Sequence, residues 1–273
     1  MTLNHDRITR PLRLAKGSHE PGSGKGCAMN VISYINGDAK ITDYPECSAR
    51  PLAALVQRLN DRLAGPDGFL SPDDSVLVLD LGWLTVGTAG VSETVVFRWL
   101  SDLLVDPVFG VVRFAASDEA ACAIRNVAGL CVRRADGVPV SGEECLRARA
   151  AADAAYTYAG ANAAAAAAAN AVTAANAAYA AYAVTDAAYA AAANAAAAVT
   201  AAAAVTAANA AYAAYYAADA AYAVTDAVTD ANAADTADFT RWAILRWRQL
   251  AELNDTHPNY TTLNTALTHC CAT

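Results

Sequence analysis

The sequence predicts a mostly all-α protein: a small helical N-terminal domain followed by an alanine-rich helical repeat array. Three observations carry this. Residues 151–230 use Ala, Tyr, Asn, Asp, Val and Thr plus the single Gly160, with Ala at more than half of the positions. No proline stands between Pro139 and Pro258. Capping residues and apolar residues at helical spacing recur through residues 26–150. Ala has the highest helix propensity, and its substitutes in the array lose at most about 0.7 kcal/mol each in a helix interior.

The elements follow in chain order. Residues 1–25 read as a flexible leader without an apolar signal segment. In the domain at 26–140, Met29, Val31, Ile32 and Ile35 form an apolar face that ends at Asn36-Gly37. Pro51 suits a helix start, and Leu52, Leu55, Val56, Leu59 and Leu63 share one face before Gly65. Val76 to Leu79 is a short apolar run that reads as a strand. Ser92 precedes Val95, Val96, Trp99, Leu100, Leu103 and Leu104. Ser117 with Asp118 and Glu119 opens a further helix through Ile124, Val127 and Cys131. Ser141-Gly-Glu-Glu144 has the form of a capping box and launches the array at 141–237. A closing amphipathic helix at 238–256 carries Phe239, Trp242, Ile244, Leu245, Trp247 and Leu250. Residues 257–273 read as a tail.

The array is a true repeat. Residues 171–190 and 204–223 match at 17 of 20 positions, at an offset of 33, three times eleven. A single rod over 151–237 would run roughly 130 Å. A 33-residue unit also fits a pair of short antiparallel helices, and folded-back helices are the favoured reading because they bury the Ala faces internally. Nine of the twelve Tyr lie in the array. Tyr179, Tyr182, Asp186 and Tyr189, with Tyr212, Tyr215, Asp219 and Tyr222 one repeat later, mark the expected interaction surface.

Charge and composition narrow the function classes. The chain carries a net charge of −8, and residues 151–240 hold seven Asp and no Lys or Arg. Such a surface does not neutralise phosphates, so nucleic acid is not an expected partner. Nor is a membrane, because Asp and Asn recur through the alanine-rich stretch. Seven Cys (27, 47, 122, 131, 145, 270 and 271) without a CxxC pair read as reduced thiols of a cytoplasmic protein.

Candidate chemistry is sparse. Gly22-Ser-Gly-Lys25-Gly26 with Val76-Leu-Val-Leu-Asp80 mimics a phosphate loop and a magnesium-holding Asp, with Lys25 and Asp80 as the nucleotide-contacting residues. It departs from the full pattern, since His19 replaces the first Gly and Gly26 the metal-binding Ser or Thr. Cys27 and Cys47 with Asp43 are the candidate metal ligands, short of the paired spacing a zinc site uses. The four His (5, 19, 257 and 269) fall in segments read as leader or tail. Val172-Thr-Ala-Ala-Asn176 and Val205-Thr-Ala-Ala-Asn209 resemble the Thr-Ala-Ala-Asn repeat of the alanine-rich type I fish antifreeze proteins, which implies ice binding as another alternative.

Gly26-Cys27-Ala-Met29, Ser33-Tyr34, Gly37, Thr42-Asp43, Pro45, Cys47 and Asn60-Asp61, with Val86-Gly87-Thr88 downstream, resemble an uncharacterised group of actinobacterial and actinophage (bacteriophage) proteins. That group pairs such a motif with an alanine-rich array and a closing helix, so the resemblance spans most of the chain. Where the group often places a His before the Pro and a further Cys after it, this chain has Tyr44 and Ser48 to Arg50. The resemblance implies no known activity. In composition the chain also resembles alanine-rich helical immunity proteins of toxin systems. The sequence as a whole predicts a non-enzymatic, low-complexity helical interaction or scaffold protein without a cofactor, working through a protein partner or self-association. A nucleotide-binding protein with a degenerate phosphate loop and an ice-binding helix are the alternatives.

Overall fold

A computed structural model describes residues 5–9, 12–17, 23–115, 117–165, 233–254 and 259–270. The expected Tyr/Asp surface of the array, Tyr179 through Tyr222, lies outside the described residues, and so does the choice between rod and folded-back helices.

Among the described residues the chain is helical. The helices are α1 (Ala28–Asn36), α2 (Arg50–Leu63), α3 (Pro72–Leu84), α4 (Glu93–Val105), α5 (Asp118–Ala135), α6 (Gly142–Ala165), α7 (Ala233–Leu250) and α8 (Tyr260–Cys270). The β pairing described is limited to two isolated bridges, Ala15 with Phe69 and Ser48 with Val86. No described helix is long and apolar enough to cross a membrane. The chain divides into two compact units, one of residues 1–90 with 252–273 and one of residues 91–251.

In the first unit α1 packs on α2, α3 and α8, and α2 packs on α3. Helix α1 is apolar on most sides, with Met29, Val31 and Ile32 buried, and ends at Gly37 in the left-handed region (φ 77°). Helix α2 buries Leu52, Leu55, Val56 and Leu59, the face its sequence period marks out. Helix α3 corrects the strand reading of Val76 to Leu79. Ser71 accepts the Asp74 N–H at 3.1 Å, Pro72 occupies the first turn, and Asp73 and Asp74 suit its dipole. Its apolar residues go all round because the helix is covered on several sides, which hides helical periodicity from the sequence.

Helix α8 corrects the tail reading of 260–270. Asn259 accepts the Thr261 and Thr262 N–H groups at 3.1 and 3.2 Å, and Tyr260, Leu263, Leu267 and Cys270 are buried on one face.

In the second unit α4 packs on α5 and α7, and α5 packs on α6. Trp99 and Trp247 meet edge-to-face with ring centroids 5.1 Å apart, and the Trp99 indole N–H donates to the Ala243 carbonyl at 2.8 Å. Both are fully buried, so this pair anchors α7 on α4. Arg246 and Asp102 add an ion pair at 2.8 Å along the same contact. Ser117 caps α5 by accepting the Ala120 N–H. The expected capping box opens α6: Ser141 Oγ accepts the Glu144 N–H at 3.2 Å, and the Glu144 carboxylate accepts the Ser141 N–H at 2.9 Å.

Candidate functional site

The first unit assembles a polar knot around the start of α1. Cys27 precedes the helix, and its N–H donates to Asn30 Oδ1 at 3.0 Å, which closes the first turn. The Asn30 amide donates onward to Asp43 Oδ1 at 3.0 Å, and the Cys27 thiol donates to the same oxygen at 3.4 Å. From α8, the Cys270 thiol points at the Asn30 carbonyl at 3.7 Å. Asn60 on α2 accepts the Ala28 N–H and donates to the Ala15 carbonyl at 2.9 Å. Cys27, Asn30, Asn60 and Cys270 are all buried.

Gly26 explains why Gly precedes Cys here. A Cβ at Gly26 would lie 3.0 Å from the Cys270 carbonyl oxygen and 3.1 Å from its Cβ. The end of α8 therefore approaches bare backbone.

Electrostatics hold these thiols protonated. Burial pushes the Cys27 thiol well above its ordinary value, and the charge of Asp43 pushes it further in the same direction. Burial raises Cys270 to about 11. A protonated thiol is a hydrogen-bond donor and a poor nucleophile. Cys47, the second candidate ligand, sits in the loop before α2, half-buried, with its sulfur 3.8 Å from Ser48 Oγ. Burial raises its thiol as well. Among the described residues no group of three or more His, Cys, Asp and Glu stands together to hold a metal ion.

The Val86-Gly87-Thr88 segment closes over the same loop. The Gly87 and Ala89 N–H groups donate to the Cys47 carbonyl, and the Ala49 N–H donates to Thr88 Oγ1 at 2.9 Å. Ser48 Oγ and Thr85 Oγ1 share a hydrogen bond at 2.8 Å. These contacts give residues 45–49 and 85–89 a joint structural task at the start of α2.

The two nucleotide-site candidates fall in different settings. Lys25 is exposed with its Nζ 5.4 Å from the Phe69 ring centroid. Asp80 is buried on α3, in a helix rather than at a strand end.

Sequence reasoning missed two concave surfaces. In the first unit, the rings of Tyr34 of α1 and His269 of α8 meet tilted at 34° with centroids 4.6 Å apart and border a groove of about 590 Å³ with Thr9, Asn264, Thr265 and Thr268. The signal that could have revealed α8 was Asn259 as a cap followed by apolar residues at 260, 263, 267 and 270. In the second unit, a trough of about 670 Å³ runs between α5 and α6 over Ala120, Cys122, Ala123, Ala151 and Ala154. A cleft of about 590 Å³ continues it along the same seam, lined by Arg125, Gly129, Arg133, Glu144 and Arg147. Burial lifts Cys131 to about 12, while Cys122 is exposed at the trough.

In comparisons with known proteins, no family model, curated protein or solved structure matches this chain.

Proposed function

We infer that the chain is a non-enzymatic helical scaffold that works by protein–protein contact. The observation that supports this reading most directly is the open α5–α6 trough. Half of its lining residues are Ala, beside Ser117, Glu119, Asn126 and the exposed Cys122, so another helix can approach closely over Ala120, Ala123, Ala151 and Ala154 and gain van der Waals contact. On α6 the trough is lined by Ala151 and Ala154, and the alanine-rich sequence that follows has a composition suited to the same kind of packing. The buried cysteines fit a structural assignment, because their environment favours the neutral thiol.

The test is a sedimentation series on the full chain, run with a recovery of bound protein from its source lysate. Both are repeated with Ala154→Arg, which places a long charged side chain at an exposed position of the trough. A complex, with itself or with a partner, that weakens in the variant supports the reading. A chain that stays monomeric and recovers nothing dependent on Ala154 removes it.

A further inference from the structure

Helices α5 and α6 form a hairpin whose register is fixed at two levels. Arg133 pairs with Glu144 at 2.5 Å near the turn, and Asn126 and Ala151 together line both hollows of the seam. Arg133 stands as many residues after Asn126 as Glu144 stands before Ala151, as two antiparallel helices of equal rise require. In the same register Cys145 and Leu146 stand level with Cys131. Leu146 turns outward, 50% exposed, whereas Cys131 and Cys145 are fully buried. The hairpin therefore sets two inward thiols against each other across the seam.

Their electrostatics fit this placement. Burial, and after it the neighbouring Cys145, raise the Cys131 thiol to about 12. Burial and the Glu144 carboxylate raise Cys145 as well, while Arg134 acts in the opposite direction. Cys145 is also the thiol nearer to solvent. It sits in the first turn of α6, a few residues after the exposed stretch from Asp136 to Pro139. Fraying of that turn uncovers Cys145 first, and the Arg134 charge favours its thiolate. The exposed Cys122 lies about 14 Å further along α5. That is beyond the reach of a disulfide to Cys131, which spans at most about 7 Å between Cα atoms.

We propose that Cys131 and Cys145 are a redox pair, which a small-molecule disulfide such as oxidised glutathione converts to a disulfide stapling the root of α6 to α5. The Cys145 thiolate attacks one sulfur of the small disulfide, whose S–S bond breaks and releases a thiolate. Deprotonated Cys131 then attacks Cys145 Sγ in the mixed disulfide and expels the second thiolate. Two protons leave the cysteines and end on the two released thiols. The protein loses two electrons and the small disulfide gains them. The new bond closes a loop of about 15 residues, and so restricts the unfolded chain. It forms whether or not the trough has a partner.

The test incubates the full chain at neutral pH with oxidised glutathione until the exposed Cys122 is capped. The sample is quenched in acid, unfolded, alkylated and mapped by mass spectrometry. The expected product joins Cys131 to Cys145, and its thermal midpoint lies about 5 °C higher until a reductant restores it. Cys131→Ser should trap glutathione on Cys145 and show no such rise, while Cys145→Ser should leave Cys131 free. The map of the unaltered chain decides even where a variant loses its fold. Free Cys131 and Cys145 beside a capped Cys122 overturn the proposal. So does glutathione that rests on Cys145 of the unaltered chain without forming the link, or a link that forms only in denaturant.

Discussion

Glu144 carries two roles on one carboxylate. It closes the capping box of α6 through Ser141 and pairs with Arg133. The Arg133 guanidinium and the Ser141 donors hold its pKa at about 2, below the ordinary 4.5. A lowered folded-state value means that the stabilisation is present above the unfolded value. It is lost as pH falls from 4.5 through about 2. A carboxyl-resolved NMR titration should place Glu144 near the bottom of the glutamate range, and Glu144→Gln should flatten the acid limb of stability in that window. Thr240 presents the opposite case. Its hydroxyl is buried on α7 and, among the described residues, has no hydrogen-bond partner. Thr240→Val keeps the shape and removes the desolvation cost, so chemical denaturation should show about 1 kcal/mol of added stability. A loss of stability there would mean the hydroxyl is satisfied after all.

Three helix starts were legible in the sequence from their first turns. Ser117 and Ser141 cap the helices expected from them, and Pro51 lies in the first turn of α2. Two elements were not legible, for different physical reasons. Helix α3 is apolar all round, so Val76 to Leu79 carries no helical period. Helix α8 is rich in Thr and Asn, residues of modest helix propensity, and its stability comes from contact with α1 more than two hundred residues away in the chain. The polar knot was half legible: Cys27 and Asp43 stood out as reactive residues, whereas their joint burial with Asn30 and Cys270 is a tertiary fact. Gly26 reports on that tertiary fact directly. Gly26→Ala forces the end of α8 to give way, at a cost of about 1–2 kcal/mol, and a thiol-labelling time course should then show Cys270 reacting faster. Gly129 reports in the other direction. With open space around its missing Cβ, Gly129→Ala should raise thermal stability by about 1 kcal/mol. A drop would show that the glycine serves packing of the chain itself.

The division of the chain makes its two ends one folding problem. The first unit is built from residues 1–90 and 252–273, while residues 91–251 form a unit of continuous sequence. Helix α8 covers α1, and Cys270 meets both Gly26 and the Asn30 carbonyl. The second unit closes on its own Trp99–Trp247 contact. A chain ending at residue 251 therefore removes a structural wall from the first unit and nothing that packs inside the second. Its expected signature is specific. The near-ultraviolet circular dichroism of the tryptophan pair should persist, because Trp99, Ala243 and Trp247 all remain. Cys27, buried in the intact chain with its thiol pushed towards the protonated form by burial and the charge of Asp43, should become open to maleimide, because the knot then loses its α8 side. Loss of the tryptophan signal together with exposure of Cys27 would mean instead that the two units fold cooperatively as one. Retention of both would mean that α1, α2 and α3 suffice to bury the knot, leaving α8 free to serve the Tyr34–His269 groove alone.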